Sequence, residues 1–351
     1  MPEPIFNLQW HLTAKCDQHC KHCYMYDEPT YDSELNNPLT LEQCKTVIDD
    51  FDEMLSNVEL KGRINFTGGD PLLREDFFQI LEYANSKKNI SALCVLGNPY
   101  HINEKTAKKL KKLGVSKYQI SIDGLETTHD YFRKPGSFKE SLRAFRVLKK
   151  VGIKTICMFT LSKKNAADLI PVIELVAKEG INIFAFSRLC AVGTGKKLKN
   201  EVLTPLEYKE LLYNVLEKFR VLEEQDCRTK FTRKDNLWTL LYQDLGLLPP
   251  LPKNKKTIYR GCGIGMSIMC VLADGTVYAC RRFPSPVGKV PEQKLWDIFT
   301  KSKQLNEYRK YEKMEKCSKC DLLQFCRGCP AVSYGAYGSY FAPDPQCWKK
   351  V

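Results

Sequence analysis

Cys16-Asp-Gln-His-Cys20-Lys-His-Cys23-Tyr24 places three thiols within eight residues, directly after the first predicted strand. Thiolates at this spacing can take three corners of a four-iron cluster and leave the fourth iron without a protein ligand, free to bind a substrate. A closed electron-transfer site would supply a fourth cysteine. A zinc ion completed by His19 or His22 is the competing reading, although zinc sites commonly pair cysteines as C-x2-C and add a second pair from elsewhere.

Outward from this loop, short apolar runs alternate with helical patterns. The predicted strands are Ile5–His11, Arg63–Phe66, Ala92–Gly97, Tyr118–Ile122, Thr155–Leu161 and Ile183–Phe186. Between them lie amphipathic stretches at Leu41–Leu55, Asp76–Asn85, Glu104–Leu113, Phe138–Val151 and Ala166–Glu179. Thr40 and Gln43 offer the first of these a capping box. Such alternation specifies a parallel α/β architecture, and either a doubly wound sheet or a partial barrel satisfies it. In both, ligands gather at the carboxyl ends of the strands.

The C-x3-C-x2-C spacing followed by an aromatic resembles the signature of the radical S-adenosylmethionine (SAM) family. The resemblance covers roughly Asn7–Gly195 and implies a partial (β/α)6 TIM-like barrel with a [4Fe–4S] cluster on Cys16, Cys20 and Cys23. In that family the reduced cluster passes an electron to SAM, and the resulting deoxyadenosyl radical takes a hydrogen atom from the substrate. Further residues carry over by resemblance. Thr67-Gly68-Gly69-Asp70-Pro71 is similar to the family's Gly-Gly-Glu motif, with Asp70 in place of Glu. Ser121 and Asp123 look like the SAM-binding serine and the ribose-binding acid. Tyr24, Asn98 and Arg133 fall where relatives place additional SAM contacts, and Leu189 where backbone meets the adenine.

A second cysteine group reads Cys262-x12-Gly275-x4-Cys280, Cys317-x2-Cys320-x5-Cys326-x2-Cys329 and Cys347. It resembles the SPASM extension of radical SAM enzymes, which holds two auxiliary [4Fe–4S] clusters; the last pair is spaced by two residues where the family usually has three. The resemblance implies that Cys317, Cys320, Cys326 and Cys347 close one cluster, while Cys262, Cys280 and Cys329 hold the other, with its fourth ligand open. Asp274-Gly275 reads as a two-residue hairpin turn, which would pair Cys270 with Ala279 and turn Cys270 away from Cys280. Two zinc ribbons are the alternative for this group. Cys190 directly follows the sixth strand, on the SAM side. It is either a packing residue or a thiol that donates a hydrogen atom to a substrate radical.

Among 351 residues, 43% hydrophobic and 27% charged, no apolar run is long enough to cross a bilayer, and the first ten residues do not form a signal peptide. Sixteen cysteines without an export signal point to metal chemistry in the cytoplasm rather than disulfides. The formal charge of +13 is scattered along helices and forms no nucleic-acid module, so an acidic peptide is a better-matched partner than RNA or DNA. The expected organisation is a radical SAM partial barrel over 1–200, a helical bridge and linker over 201–255, and a SPASM domain of short β-hairpins and helices over 256–351. The expected activity is hydrogen abstraction from a peptide or protein, as a ribosomal-peptide maturase forming a cross-link, a thioether or an epimer. An anaerobic sulfatase-maturating type, forming formylglycine, and a non-catalytic zinc adaptor are the alternatives. The expected partners are a flavodoxin or ferredoxin as electron donor and, since only 15 residues precede Cys16, a leader-binding protein encoded separately.

Overall fold

The computed structural model describes residues 4–251 and 257–351; the end of the expected 201–255 bridge and linker lies outside them. All six predicted strands form: β1 (Ile5–His11), β2 (Lys61–Thr67), β3 (Ile90–Leu96), β4 (Val115–Ser121), β5 (Lys154–Leu161) and β6 (Ile183–Arg188). They lie parallel and in sequence order. A doubly wound sheet reverses its order at a switch point. Here no reversal occurs between β1 and β6, which is the order of a (β/α) barrel. β1 and β6 do not pair, so the barrel is open.

Both open edges are extended. β7 (Lys230–Phe231) runs beside β6, and β8 (Ile268–Val271) runs parallel to β1. β9 (Thr276–Tyr278) and β10 (Pro286–Lys289) follow as antiparallel strands, giving a ten-stranded sheet in all. The C-terminal region thus continues the barrel's own hydrogen-bond ladder.

The strands alternate as a half-buried sheet must. On β1, Phe6, Leu8 and Trp10 are buried towards the helices, while Gln9 lines a cavity on the opposite face. Gln119, Ser121, Thr160 and Ser187 continue this polar inner face along β4, β5 and β6. Helix Leu41–Asn57 buries Cys44, Val47, Ile48, Phe51, Met54 and Leu55, spaced three and four apart, and begins at the Thr40–Gln43 capping box. Phe51 meets the edge of Phe6 at 6.1 Å between ring centroids. Burial of each of the Val, Ile, Leu, Met and Phe side chains is worth about 1.5–3 kcal/mol.

One correction concerns the C-terminal hairpin. Cys270 pairs with Tyr278 and Val271 with Val277, not Cys270 with Ala279. The turn is three residues long: the Leu272 amide donates to the Thr276 carbonyl at 2.8 Å around Ala273-Asp274-Gly275, and Gly275 takes φ +86°. A left-handed residue after a tight turn shifts the register by one relative to a two-residue turn. The parity that turned Cys270 away from Cys280 therefore does not hold.

The barrel and the C-terminal region meet on a buried cation. Arg188, at the end of β6, is 1% exposed. It donates to Asp235 at 2.8 Å, to both carboxylate oxygens of Asp344 at 2.6 and 2.8 Å, and to Gln346 at 2.8 Å. Removing the cation leaves two buried carboxylates without a counter-charge. Arg188→Met is therefore expected to cost about 3–5 kcal/mol of stability, measured by anaerobic urea unfolding; a loss below about 1 kcal/mol, the scale of an exposed pair, would refute the assignment.

Candidate active site at the carboxyl ends of the strands

The cysteine loop after β1 is held from several sides. The Gly69 amide donates to the Thr13 carbonyl at 2.7 Å, and the Asp70 amide to the Lys15 carbonyl at 2.8 Å. Gly68 lies at φ +137°, and a Cβ there would stand 2.2 Å from the Thr13 oxygen. A Cβ on Gly69 would stand 2.0 Å from the Lys15 oxygen. The two glycines let one backbone lie against the other. Thr194 closes the far side, its hydroxyl donating to the Cys23 carbonyl at 3.1 Å.

Each of the three sulfurs receives a donor. Asn98 Nδ2 lies 3.3 Å from Cys16 Sγ, Arg133 Nη1 3.5 Å from Cys20 Sγ, and the Met25 amide 3.4 Å from Cys23 Sγ. Burial pushes the Cys20 thiol up to about 12, against the pull of Arg133, and it raises Cys23 as well. Donors on sulfur favour the thiolate that a metal requires.

Asp123 is fully buried behind this loop. Its carboxylate takes Arg133 Nε at 2.6 Å, His22 Nε2 at 3.3 Å and the Thr160 amide at 2.8 Å. Burial opposes its charge, yet Arg133 and His22 outweigh burial and hold it well below the usual carboxylate range. Asp70 is buried too, its carboxyl pushed up to about 7 by burial, with one oxygen accepting from the Leu72 amide.

A cavity of about 250 Å³ opens above the loop. Of the residues expected at SAM, Tyr24, Gly68, Gly69, Asn98, Ser121, Arg133 and Leu189 line it, and Asp70 and Asp123 do not. Those two act from behind, Asp123 on Arg133 and Asp70 at the turn that grips the cysteine loop. The opposite wall carries Cys190, Lys234 and Arg282. Burial and the nearby Arg282 bring the Lys234 ammonium down to about 8. Sequence reading missed both cations: Arg282 is signalled only by its place two residues after Cys280, and Lys234 by nothing local.

In the C-terminal region the cysteines fall into two groups. Cys317, Cys320, Cys326 and Cys347 line one small, almost wholly apolar cavity. Burial takes the Cys262 thiol to about 12 and raises Cys280, and Cys329 lies close enough to both to add to each rise. Cys329 is the exception: a hydrogen bond from Cys190 brings it down to about 6, helped by Arg282. The C-x2-C turn before it holds Arg327 and Gly328 in left-handed conformation, with Arg327 donating to the Arg260, Leu323 and Cys262 carbonyls. Tyr340 packs on Tyr308 and Phe283, and Tyr337 is exposed.

The donor sets fit iron–sulfur clusters. Four thiolates on one zinc ion sit roughly 3.8 Å apart, from a Zn–S distance of about 2.3 Å. Among the described residues, the set of three ligating atoms mutually within 4.8 Å is Asp17, Asp70 and His101, which contains no cysteine. His19 stacks on Tyr26 and His22 serves Asp123, so neither histidine completes a zinc site with the loop thiols. Wider spacing and all-sulfur donors suit a four-iron cube.

Comparison with known proteins agrees. The radical SAM superfamily matches residues 10–176, and an iron–sulfur cluster-binding domain of SPASM type matches 262–321. The Fe-coproporphyrin III synthase of Methanosarcina barkeri is 31% identical over 83% of this chain and 72% of its own length. The chain belongs to the radical SAM family, in its SPASM-bearing branch. The sporulation killing factor maturation protein SkfB of Bacillus subtilis is 24% identical over 84% of the chain and 64% of its own. In fold, SuiB of Streptococcus suis bound to S-adenosylmethionine superposes with a TM-score of 0.77 at 18% identity, over 99% of this chain and 78% of that one. Native anSMEcpe with AdoMet and a Cp18Cys peptide gives 0.75 at 20% identity, over 98% and 94%. The enzyme uses SAM, a [4Fe–4S] cluster at the SAM site and auxiliary clusters in the SPASM region. A cluster bound at the SAM site supplies the electron that cleaves SAM reductively; the chain's residues position SAM, exclude water and set the charge around the thiolates.

The contact of Gly69 with the cysteine loop generates a prediction. Gly69→Ala is expected to displace Lys15 and cost the SAM-site cluster, lowering iron by about four per chain while the SPASM region keeps its own. Iron analysis of anaerobically reconstituted protein checks this, and unchanged iron with unchanged SAM cleavage would refute it.

Proposed function

We propose that the enzyme abstracts a hydrogen atom from a peptide or protein substrate, as a ribosomal-peptide maturase that forms a cross-link, a thioether or an epimer. In this reading Cys16, Cys20 and Cys23 hold the SAM-site cluster. Cys262, Cys280 and Cys329 hold the first auxiliary cluster, and Cys317, Cys320, Cys326 and Cys347 the second. The observation that carries it is the cavity wall opposite the cysteine loop, where Cys190, Lys234 and Arg282 present a thiol and two cations that suit the carbonyl oxygens of an extended chain. A flavodoxin or ferredoxin would supply electrons, a separate protein would hold a leader peptide, and the cytoplasm would keep the sixteen free cysteines reduced.

A second reading is favoured by the likeness to the Fe-coproporphyrin III synthase. Lys234 and Arg282 both face the cavity and would pair with the carboxylates of a tetrapyrrole. The formylglycine-forming alternative needs a carboxylate base. No Asp or Glu lines the described cavity, which weighs against it.

The test uses Cys-containing peptides deuterated at Cα and Cβ, offered with SAM and reductant without oxygen. Deuterium is expected in the released deoxyadenosine, together with peptide that has lost two hydrogens or exchanged one with solvent. Formation of Fe-coproporphyrin III from a tetrapyrrole precursor, with no deuterium transfer from any peptide, would overturn the peptide reading in favour of the tetrapyrrole.

A further inference from the structure

Three thiols, Cys262, Cys280 and Cys329, leave one corner of the first auxiliary cluster unclaimed. The SPASM region offers one more cysteine, Cys270. It is 1% exposed and buried with Leu272 and Tyr278 in an apolar group of their own. The groups that act on its thiol are Arg281, Cys280 and Glu34. Arg281 and Glu34 are themselves a buried ion pair at 2.6 Å. Cys270 therefore faces a buried ion pair, whose Arg281 is the cation that offsets its charge.

Cys190 stands differently. It comes from the barrel, two residues beyond Arg188, and lines the same cavity wall as Arg282, whose guanidinium donates to Cys329 Sγ. Its thiol also feels Cys280. A single buried guanidinium, Arg282, serves Cys190, Cys329 and Cys280 together, with Nη1 3.7 Å from Cys329 Sγ.

The backbone around this pair is fixed from both sides. Asp344 Oδ2 accepts from the Cys329 amide at 2.7 Å and from Arg188 Nη2 at 2.8 Å, so one carboxylate oxygen joins the two cysteine-bearing loops. Arg282 donates from Nη2 to the Arg188 carbonyl. Helix Pro330–Tyr337, which begins directly after Cys329, docks on the residue after Cys190: a Cβ on its Gly335 would stand 2.7 Å from the Ala191 nitrogen.

We propose that Cys190 is the fourth protein ligand of the first auxiliary cluster, alongside Cys262, Cys280 and Cys329. The proposal rests on the reading, made above, that those three hold a cluster. It gives Cys190 a role other than hydrogen donor, because a thiolate bound to iron carries no S–H. It also closes the cluster with protein thiolates, leaving no iron open to substrate, and makes a ligand from the barrel part of the cavity wall.

The test uses the full chain with Cys16, Cys20 and Cys23 replaced by Ala, so that auxiliary iron is read alone. The parent should hold about eight irons and show two EPR signals when reduced. Adding Cys190→Ala is expected to remove about one iron and give the EPR signal of an oxidised three-iron cluster. Cys190→Ser, nearly isosteric, is expected to keep the iron with a shifted signal for one cluster only. Cys270→Ala should change neither count nor spectrum. Iron and spectra unaltered in both Cys190 variants would overturn the proposal while leaving the three-cysteine reading intact, and so would a loss seen in Cys270→Ala instead. A parent holding only about four irons would overturn the three-cysteine reading, and the proposal with it.

Discussion

A guanidinium held away from water is the constraint on which this architecture turns. Arg188 caps the last strand of the barrel, and its partners come from the bridge, at Asp235, and from the C-terminal segment, at Asp344 and Gln346. A buried cation is costly unless paired and hydrogen-bonded, so no arrangement of the three segments that separates them leaves Arg188 satisfied. The same network sets chemistry. Asp344 takes the Cys329 amide, and Arg188 is followed by Leu189 and Cys190 on the cavity wall. The junction of barrel and SPASM region is thus also the boundary between the SAM cavity and the first auxiliary thiols.

Much of the barrel was legible because its signals are local. Strand alternation, helix periodicity and the Thr40–Gln43 cap depend on neighbours in sequence, and β1 forms with the bounds expected. The choice between barrel and doubly wound sheet was open because periodicity says nothing of which strands pair. The hairpin register was misread for a related reason: Asp274-Gly275 is a turn signal of either two or three residues, and only the third, Ala273, decides which side Cys270 faces.

At the site, the cysteine loops announced themselves by spacing, whereas the groups around them did not. The glycines of Thr67-Gly68-Gly69 were expected to approach SAM. Their close contacts are with Thr13 and Lys15, so their freedom from a side chain is used at least as much to seat the cysteine loop. Asp123, expected at a ribose, lies behind the cavity bonded to Arg133 and His22. Both differences arise from contacts of long sequence separation, 54 residues between Gly69 and Lys15 and 101 between Asp123 and His22, which no local pattern encodes.

The pattern of charge gives these contacts a common purpose. Buried thiols prefer their protons, as the raised values at Cys20, Cys23, Cys262 and Cys317 record, whereas a metal takes only the thiolate. Each barrel-facing thiol group is supplied with its own buried guanidinium: Arg133 at the SAM-site loop, anchored on Asp123, and Arg282 at the first auxiliary group, anchored on the Arg188 carbonyl. The formal +13 counts every cysteine as neutral. Part of that excess is therefore the built-in counter-charge of the cluster sites. The cavity wall carries Lys234 and Arg282 with no acid lining it, and both lie near the Cys280 and Cys329 thiols. A substrate bringing carbonyl or carboxylate oxygens to that wall would meet two cations already buried beside those thiols.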